Sequence, residues 1–345
     1  MQSVSISIVT YNSARFIRPC LEYAFQQDYP RLDVIVIDNA STDETRNILR
    51  EFENRIRVEY NDKNLGFAAA QNQGIALSSA DWVLTLNPDV RLTPHFISTL
   101  GRAGEADSSV GSVCGKLLAM TPEFEISANP VLDSTGIYFT PSLRHFDRGS
   151  QEVDQGRYDK SEYVFGATGA AALYRRKMIQ EISTFGEFFD SEFFAYREDA
   201  DVAWRAQLMG WKCLYTPAAI AYHVRAVRPS NRRSLPPVVN MHSVKNRFLL
   251  RLKNATADLY LRNFFFITVR DLMVIGACLT RELTSLRAFP LVLRNLRRTW
   301  VKRRDIMARR RATDRYIRAW FSFTPVSYPA EVTSMASLRQ EAATQ

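Results

Sequence analysis

The chain has 345 residues, 46% hydrophobic and 23% charged, a balance that excludes a disordered chain and allows one large core. Its four cysteines (Cys20, Cys114, Cys213 and Cys278) stand far apart with no C-x-x-C pair, which excludes a zinc knuckle or a disulfide framework and fits a reducing cytoplasm. The net charge of +9 is split. Residues 1–224 hold 21 Lys and Arg against 29 Asp and Glu, a net −8, while residues 225–345 hold 24 against 7, a net +17. Two roles in one chain are expected, the basic one facing an anionic partner.

The first apolar run, residues 4–9, has no basic segment before it and no small-residue cleavage site after it, so a signal peptide is not expected. The run reads as a strand, and the turn Thr10-Tyr11-Asn12-Ser13 ends it. Phe16, Ile17, Cys20, Leu21, Ala24 and Phe25 then fall at helical spacing. Val34-Ile35-Val36-Ile37 is continuous and β-branched, as in a strand buried on both faces of a parallel sheet. Ser41-Thr42-Asp43-Glu44 has the form of a capping box opening a helix to about Phe52. Residues 57–60 form a third strand, residues 66–77 an Ala-rich helix, and Trp82-Val83-Leu84-Thr85-Leu86 a fourth strand. Repeated β-α-β units give a Rossmann-like parallel sheet, whose ligands sit beyond the carboxyl ends of the strands. Those ends carry Thr10-Tyr11-Asn12, Asp38-Asn39 and Asn87-Pro88-Asp89.

Further on, strands are expected at residues 110–118, 137–139 and 164–174, and a helix follows the acidic cluster after Phe193. Short strands at 213–215 and 220–222 flank Pro217. A basic linker with Arg225, Arg228, Arg232 and Arg233 leads into amphipathic helices to about residue 323, and residues 324–345 read as a loose tail. The division is thus 1–224, 225–323 and 324–345. The apolar stretch 263–280 is broken by Arg270 and Asp271, so no membrane-spanning helix is expected.

Four clusters carry chemical potential. Asp38 after a buried strand is placed to meet a ribose or a base, while Asp43 in a first helical turn reads as a dipole-stabilised cap. Asn87-Pro88-Asp89 offers two hard oxygen donors, suited to Mg²⁺ or Mn²⁺ with a phosphate, and also reads as an ordinary turn. Arg197-Glu198-Asp199-Ala200-Asp201 crowds three carboxylates, as a base and its neighbours would, or as the first turn of a helix. His223 follows a short apolar strand and reads either as structural or as a ligand.

In order along the chain, Ser7-Ile8-Val9-Thr10-Tyr11-Asn12, Val36-Ile37-Asp38-Asn39-Ala40-Ser41-Thr42-Asp43, Asn64-Leu65-Gly66-Phe67, Asn72-Gln73-Gly74, Leu86-Asn87-Pro88-Asp89 and Glu198-Asp199-Ala200-Asp201 resemble glycosyltransferase family 2, within it the rhamnosyltransferase-like bacterial members, over about residues 4–224. The resemblance implies a GT-A fold and inversion at the anomeric carbon. It implies donor contacts from Thr10, Tyr11, Asn12, Asp38, Asn64, Gly66, Asn72, Asn87 and Asp89, with Asp89 and His223 on a divalent metal, Mg²⁺ or Mn²⁺. Asp199 falls at the base position, and Gly169, Glu198 and Asp201 fall on the acceptor side. Two departures stand out: Asn87 occupies the first acid position of the DXD motif, and Gln71 stands where many members have Arg. The absence of a Q-x-x-R-W motif argues against a processive synthase.

The expected function is transfer of a sugar, L-rhamnose from dTDP-L-rhamnose, to a hydroxyl of a cell-surface glycan or lipid-linked acceptor. A UDP-sugar donor and a non-catalytic nucleotide- or glycan-binding protein are the alternatives. Arginines beside Phe264-Phe265-Phe266 and Leu291-Val292-Leu293 suit an anionic membrane surface better than nucleic acid, for which no motif is present. A cytoplasmic protein, peripheral on the inner face of the cell membrane, is the corresponding location.

Overall fold

The structure is a computed structural model that describes residues 2–225 and 236–330. Its first part alternates as expected: β1 (Val4–Thr10), α1 (Ala14–Phe25), β2 (Leu32–Asp38), α2 (Thr45–Arg50), β3 (Arg57–Tyr60), α3 (Phe67–Leu77) and β4 (Trp82–Leu86). These strands lie parallel in the order β4-β1-β2-β3. All residues of β1 and β4 are buried, so β1 alternates apolar residues with small serines and β4 is almost wholly apolar, with no charged residue in either.

The chain continues through β5 (Val90–Leu92), α4 (Phe96–Glu105), β6 (Val110–Ala119), β7 (Leu132–Ser134), β8 (Ile137–Phe139), β9 (His145–Asp147), β10 (Glu162–Val164), β11 (Ala171–Arg175), α5 (Arg176–Ile182), α6 (Glu198–Leu208) and β12 (Lys212–His223). β11 enters antiparallel between β4 and β6, and β12 runs parallel to β6, so the eleven-stranded sheet is mixed. β1 places Ile6 and Ile8 against Ile17 and Leu21 of α1 on one face. On the other face Val9, Ile35 and Ile37 pack with Ala70 of α3.

The last part is helical: α7 (Pro237–Asn254), α8 (Ala257–Arg262), α9 (Phe264–Thr280), α10 (Ala288–Arg309) and α11 (Asp314–Ala319). These helices are not a separate appendage. Leu249, Leu250, Leu259, Ile306, Ile317 and Trp320 share one core with Phe165, Phe193 and Trp204. Phe139, Trp204 and Phe321 meet at ring-centroid distances of 5.0–5.3 Å, joining β8, α6 and the chain end. The expected tail also begins later than residue 324, because β13 (Tyr328–Pro329) pairs with β10. Arg228, Arg232 and Arg233 of the expected linker lie outside the described residues, as do residues 331–345.

Four local expectations change. The helix after Ser41 starts only at Thr45, capped by the backbone of Glu44 with no side-chain cap. Residues 164–174 are two strand ends separated by a loop through Gly169. The two short strands around Pro217 are one strand with an irregularity between Thr216 and Ile220. The amphipathic helices expected to about residue 323 end at Ala319, with α10 and α11 separated by a break after Arg309.

Candidate active site

The carboxyl ends of β4 and β12 meet through the short ladder between β5 and β12, where His223 pairs with Val90. That register brings together two residues 134 positions apart: His223 Nε2 lies 3.4 Å from Asp89 Oδ1. The Asp89 backbone is fixed as well, its carbonyl accepting from Val224 N at 3.1 Å. Asp89 Oδ1 is buried and accepts no hydrogen bond. Its ion-pair partner is the His223 ring, and a buried carboxylate oxygen left without a hydrogen bond is normally completed by a cation. One hard oxygen beside one imidazole nitrogen fits a divalent ion such as Mg²⁺ or Mn²⁺. Among the described residues no group of three or more His, Cys, Asp or Glu could hold a metal, so other oxygens must supply the remaining ligands.

Behind His223 stands a residue that the sequence did not single out. Asp133 on β7 accepts from His223 Nδ1 at 2.8 Å and from Arg225 Nε at 2.6 Å. Burial opposes the charge on Asp133, yet His223 and Arg225 bring its pKa down to about 2. Burial likewise opposes charge on His223, but Asp133 and then Asp89 raise it to about 9. With its Nδ1 bound to Asp133, the ring presents Nε2 to Asp89, the arrangement in which an outer carboxylate orients a ligating histidine. Arg225 Nη1 also holds Asp147 Oδ2 at 2.6 Å.

The acidic cluster lines the same open cavity of about 1380 Å³, with Asn87, Asp89, Gly169, Glu198, Asp199 and His223 among its residues. Asp199 Oδ2 accepts from Gly169 N at 2.9 Å, and Oδ1 accepts from Ala200 N at 2.7 Å. A Cβ on Gly169 would sit 3.3 Å from the Asp199 Cβ, so glycine permits this approach. Burial raises the Asp199 pKa against these two hydrogen bonds, with Asp147 adding to the rise. Glu198, buried beside Asp199, is pushed up to about 8 by burial and by that neighbour's charge. Its Oε2 has no hydrogen-bond partner. Both acids follow a strained turn, in which Phe194, Tyr196 and Arg197 adopt φ of 65°, 71° and 75°. Asn246 of α7 holds that turn, its Nδ2 lying 2.7–2.9 Å from the carbonyls of Phe193, Ala195 and Tyr196.

The remaining expected residues are placed differently. Thr10 and Asp38 are fully buried and bond to each other, while Asp38 Oδ2 also takes Arg46 Nε at 2.7 Å. Asp38 therefore organises the loops at the ends of β1 and β2, and its carboxylate is already satisfied by Thr10, Ser41 and Arg46. Tyr11 is 52% exposed, and Asn12 has φ of 50° while its Oδ1 accepts from Thr42 N. Asn64 Oδ1 accepts from Asn39 Nδ2 and Gly66 N. Gly66, at φ 84°, lets Phe194 pack where a Cβ would lie 2.5 Å from its ring. Asn72 exchanges two hydrogen bonds with the backbone of Phe189. Buried Gln71 bonds to Ser7, not to any group in the cavity. Asn64, Gly66 and Asn72 thus do not line the cavity; they hold the backbone around it. Asp201, expected on the acceptor side, points away into the core and bonds with Arg205, Lys253 and Asn254.

The profile of the family described as "Glycosyl transferase family 2" matches residues 5–183. The chain belongs to that family. The chain is 28% identical over 218 residues to an N-acetylglucosaminyl-diphospho-decaprenol L-rhamnosyltransferase of Mycobacterium tuberculosis, a match covering 56% of this chain and 67% of the relative. It is 28% identical over 100 residues to the glycosyltransferase GlyG of Streptococcus pneumoniae, covering 28% of this chain and 33% of the relative. The chain thus spans between a third and two thirds of the length of these relatives. A solved mannosyltransferase of Pyrobaculum calidifontis in complex with GDP-Man and Mn²⁺ superposes at a TM-score of 0.51, with 18% identity and coverage of 89% and 85%. GalNAc-T7, solved with UDP, GalNAc and Mn²⁺, gives 0.57 at 11% identity, over 73% of this chain and 48% of that one. The chain has the GT-A fold.

Proposed function

We propose that the protein is an inverting, metal-dependent glycosyltransferase that moves L-rhamnose from dTDP-L-rhamnose to a hydroxyl of a lipid-linked glycan. One observation carries the reading: Asp89 and His223, 3.4 Å apart, line the same cavity as Asp199, whose pKa is raised. Asp89 and His223 would hold the divalent ion, with Asn87 beside them. When bound, such an ion supplies charge stabilisation for a departing nucleoside diphosphate. Tyr11 and Asn12 offer the nucleoside an exposed ring and a fixed loop at the ends of β1 and β2.

Asp199 takes the proton of the acceptor hydroxyl as that oxygen attacks the sugar from the face opposite the leaving group. Its carboxylate is pre-aimed by Gly169 N and Ala200 N, and burial makes it a stronger base than an exposed aspartate. The M. tuberculosis relative supports rhamnose as the sugar and a lipid-linked acceptor.

The exposed face of α9 supports work at a membrane. Only Ile267 and Cys278 of this helix are buried. Phe264, Phe265, Leu272 and Met273 are 53–70% exposed. The basic residues of α10 beside it suit anionic headgroups. Among the described residues no helix is long and apolar enough to cross a membrane.

The test is a nucleotide-sugar panel with Mn²⁺, followed by turnover of Asp199→Asn and Asp89→Ala. Asp199→Asn should lose at least about 100-fold in kcat while still binding the nucleotide. Asp89→Ala should lose the response to Mn²⁺. Wild-type turnover in either variant removes the corresponding role.

A further inference from the structure

α7 and α9 bring into the cavity arginines for which the donor-side chemistry has no use. Arg247 of α7 is only 8% exposed and lines the cavity. It has no hydrogen bond or ion pair with any described residue. Arg270 of α9 lines the same cavity, and its Nε is buried without a partner. Arg144 and Arg197 complete the group. Arg197 spends Nε on Ser243 O and Nη1 on His145, and Arg144 lies 4.1 Å over the Phe146 ring. Acids on this wall are engaged with other groups: Asp147 with Arg225, Glu152 with Tyr158, and Glu282 with Ser285 Oγ.

A buried cation without a counter-charge opposes folding, so such groups are normally paired or completed by a ligand. Burial first, and then the charges of Arg197, Arg270, Arg251 and Arg144, depress the Arg247 pKa to about 8. Guanidinium groups converging on one space match a phosphate, which accepts paired N–H donors in their plane. The wall beside Arg270 is apolar: Met273, Val274 and Ala277 of α9 line the cavity, and Met273 is 59% exposed on the outer surface. The ligand of this chamber is therefore anionic at one end and apolar beyond it.

We propose that Arg247, with Arg144, Arg197 and Arg270 around it, binds the phosphate or diphosphate of a prenyl-linked acceptor, and that Met273, Val274 and Ala277 of α9 guide its apolar chain from the cavity to the surface. The inference rests on the reading of the cavity as a transferase site and identifies the acceptor's chemical class. It also gives the C-terminal helices a direct role: α6 supplies the base for the acceptor hydroxyl, and α7 and α9 supply the site for the acceptor's phosphate.

The test is calorimetric titration of the full chain in EDTA with inorganic pyrophosphate and, separately, geranyl diphosphate. Without metal, the donor site is not assembled. Wild type is expected to bind geranyl diphosphate at least tenfold more tightly than pyrophosphate. Arg247→Gln should weaken both at least tenfold, and Met273→Ser with Ala277→Ser should weaken only the prenyl compound. Asp89→Ala should leave both affinities in place. Arg247→Gln should also melt higher than wild type without ligand, because a buried unpaired charge has gone, so lost binding will not reflect misfolding.

Equal affinities in wild type and Arg247→Gln would overturn the phosphate site, as would loss of binding in Asp89→Ala. Geranyl diphosphate binding no better than pyrophosphate would overturn the prenyl assignment. Nucleoside diphosphate binding with Mn²⁺ separates the two readings. If wild type fails to bind it, the transferase reading falls, whereas the EDTA titration still decides the arginine site.

Discussion

Asn246→Ala tests whether the C-terminal helices set the geometry of catalysis. Asn246 is fully buried, and its amide nitrogen lies 2.7–2.9 Å from three backbone carbonyls of the turn before Glu198. An amide has only two hydrogens, so the three carbonyls share them. Removing both leaves buried carbonyls unpaired, at about 1–3 kcal/mol each, and a net loss of about 3 kcal/mol is expected. The unfolding entropy of about 2.1 cal/mol/K per residue makes that about 4 °C in Tm for a chain of 345 residues.

The catalytic effect follows from strain. Phe194, Tyr196 and Arg197 sit at positive φ, costing about 1–2 kcal/mol each, so the turn relaxes once its brace is gone. Asp199 then loses its alignment with Gly169 N. The expected result is at least about a tenfold fall in kcat, equivalent to 1.4 kcal/mol of barrier, with unchanged nucleoside diphosphate binding in Mn²⁺. The assay is steady-state turnover well below the melting temperature, with the exposed α7 substitution Val238→Ala as control. A variant that melts lower but keeps wild-type kcat would refute the coupling and leave α7 a purely structural support.

Two further outcomes are expected. Glu198 has its pKa raised from 4.5 to about 8 in the folded state, so it favours folding below 4.5 and loses that contribution as pH rises to about 8. Glu198→Gln should abolish this slope in melting temperature between pH 4.5 and 8, and an unchanged slope would assign the titration elsewhere. Phe265 and Leu272 are 70% and 64% exposed, so replacing both by Ser should leave melting unchanged but reduce flotation with phosphatidylglycerol vesicles about tenfold or more; failure of wild type to float would reject membrane docking by α9.

β2 and β4 were legible because burial on both faces demands β-rich apolar runs, and β1 because its isoleucines and valines alternate with small serines, whereas β3 is largely exposed and was placed by the β-α-β rhythm around it. The capping box misled for a physical reason. Ser41, Asp43 and Thr45 use their side chains to accept from the backbone of Asn12, Ala14 and Ser13, so a local cap signal serves the neighbouring loop. Asp89 and His223 were legible as two residue types, but their approach to one another depends on the register of β5 with β12. Asp133 carried no signal at all, since a lone acid in Leu132-Asp133-Ser134 acquires meaning only when β7 brings it under His223. The charge asymmetry was real, yet much of it points inward. Lys253 and Lys302 both close on Asp190 and tie α7 and α10 to the N-terminal part of the chain.

Asp201 is the sharpest case of one residue type serving two ends. It sits two positions from the base and is fully buried. Oδ2 accepts from Arg205 Nε and Lys253 Nζ, each at 2.9 Å, and Oδ1 accepts from Asn254 Nδ2 at 2.7 Å. The helix explains the division: side chains two residues apart do not share a face, so Asp199 looks into the cavity and Asp201 into α7. Asp201→Asn leaves buried Arg205 without its carboxylate partner, while Lys253 keeps Asp190, and breaking such a buried pair costs about 3–5 kcal/mol. By the same entropy, Tm should fall by about 4–7 °C. Folded enzyme should nevertheless keep kcat within about twofold, because none of these bonds reaches the cavity. Asp199→Asn should do the reverse, losing turnover without a comparable loss of stability. If Asp201→Asn lost turnover while its melting temperature held, the carboxylate would belong to the acceptor after all, and the buried network would be a by-product of packing.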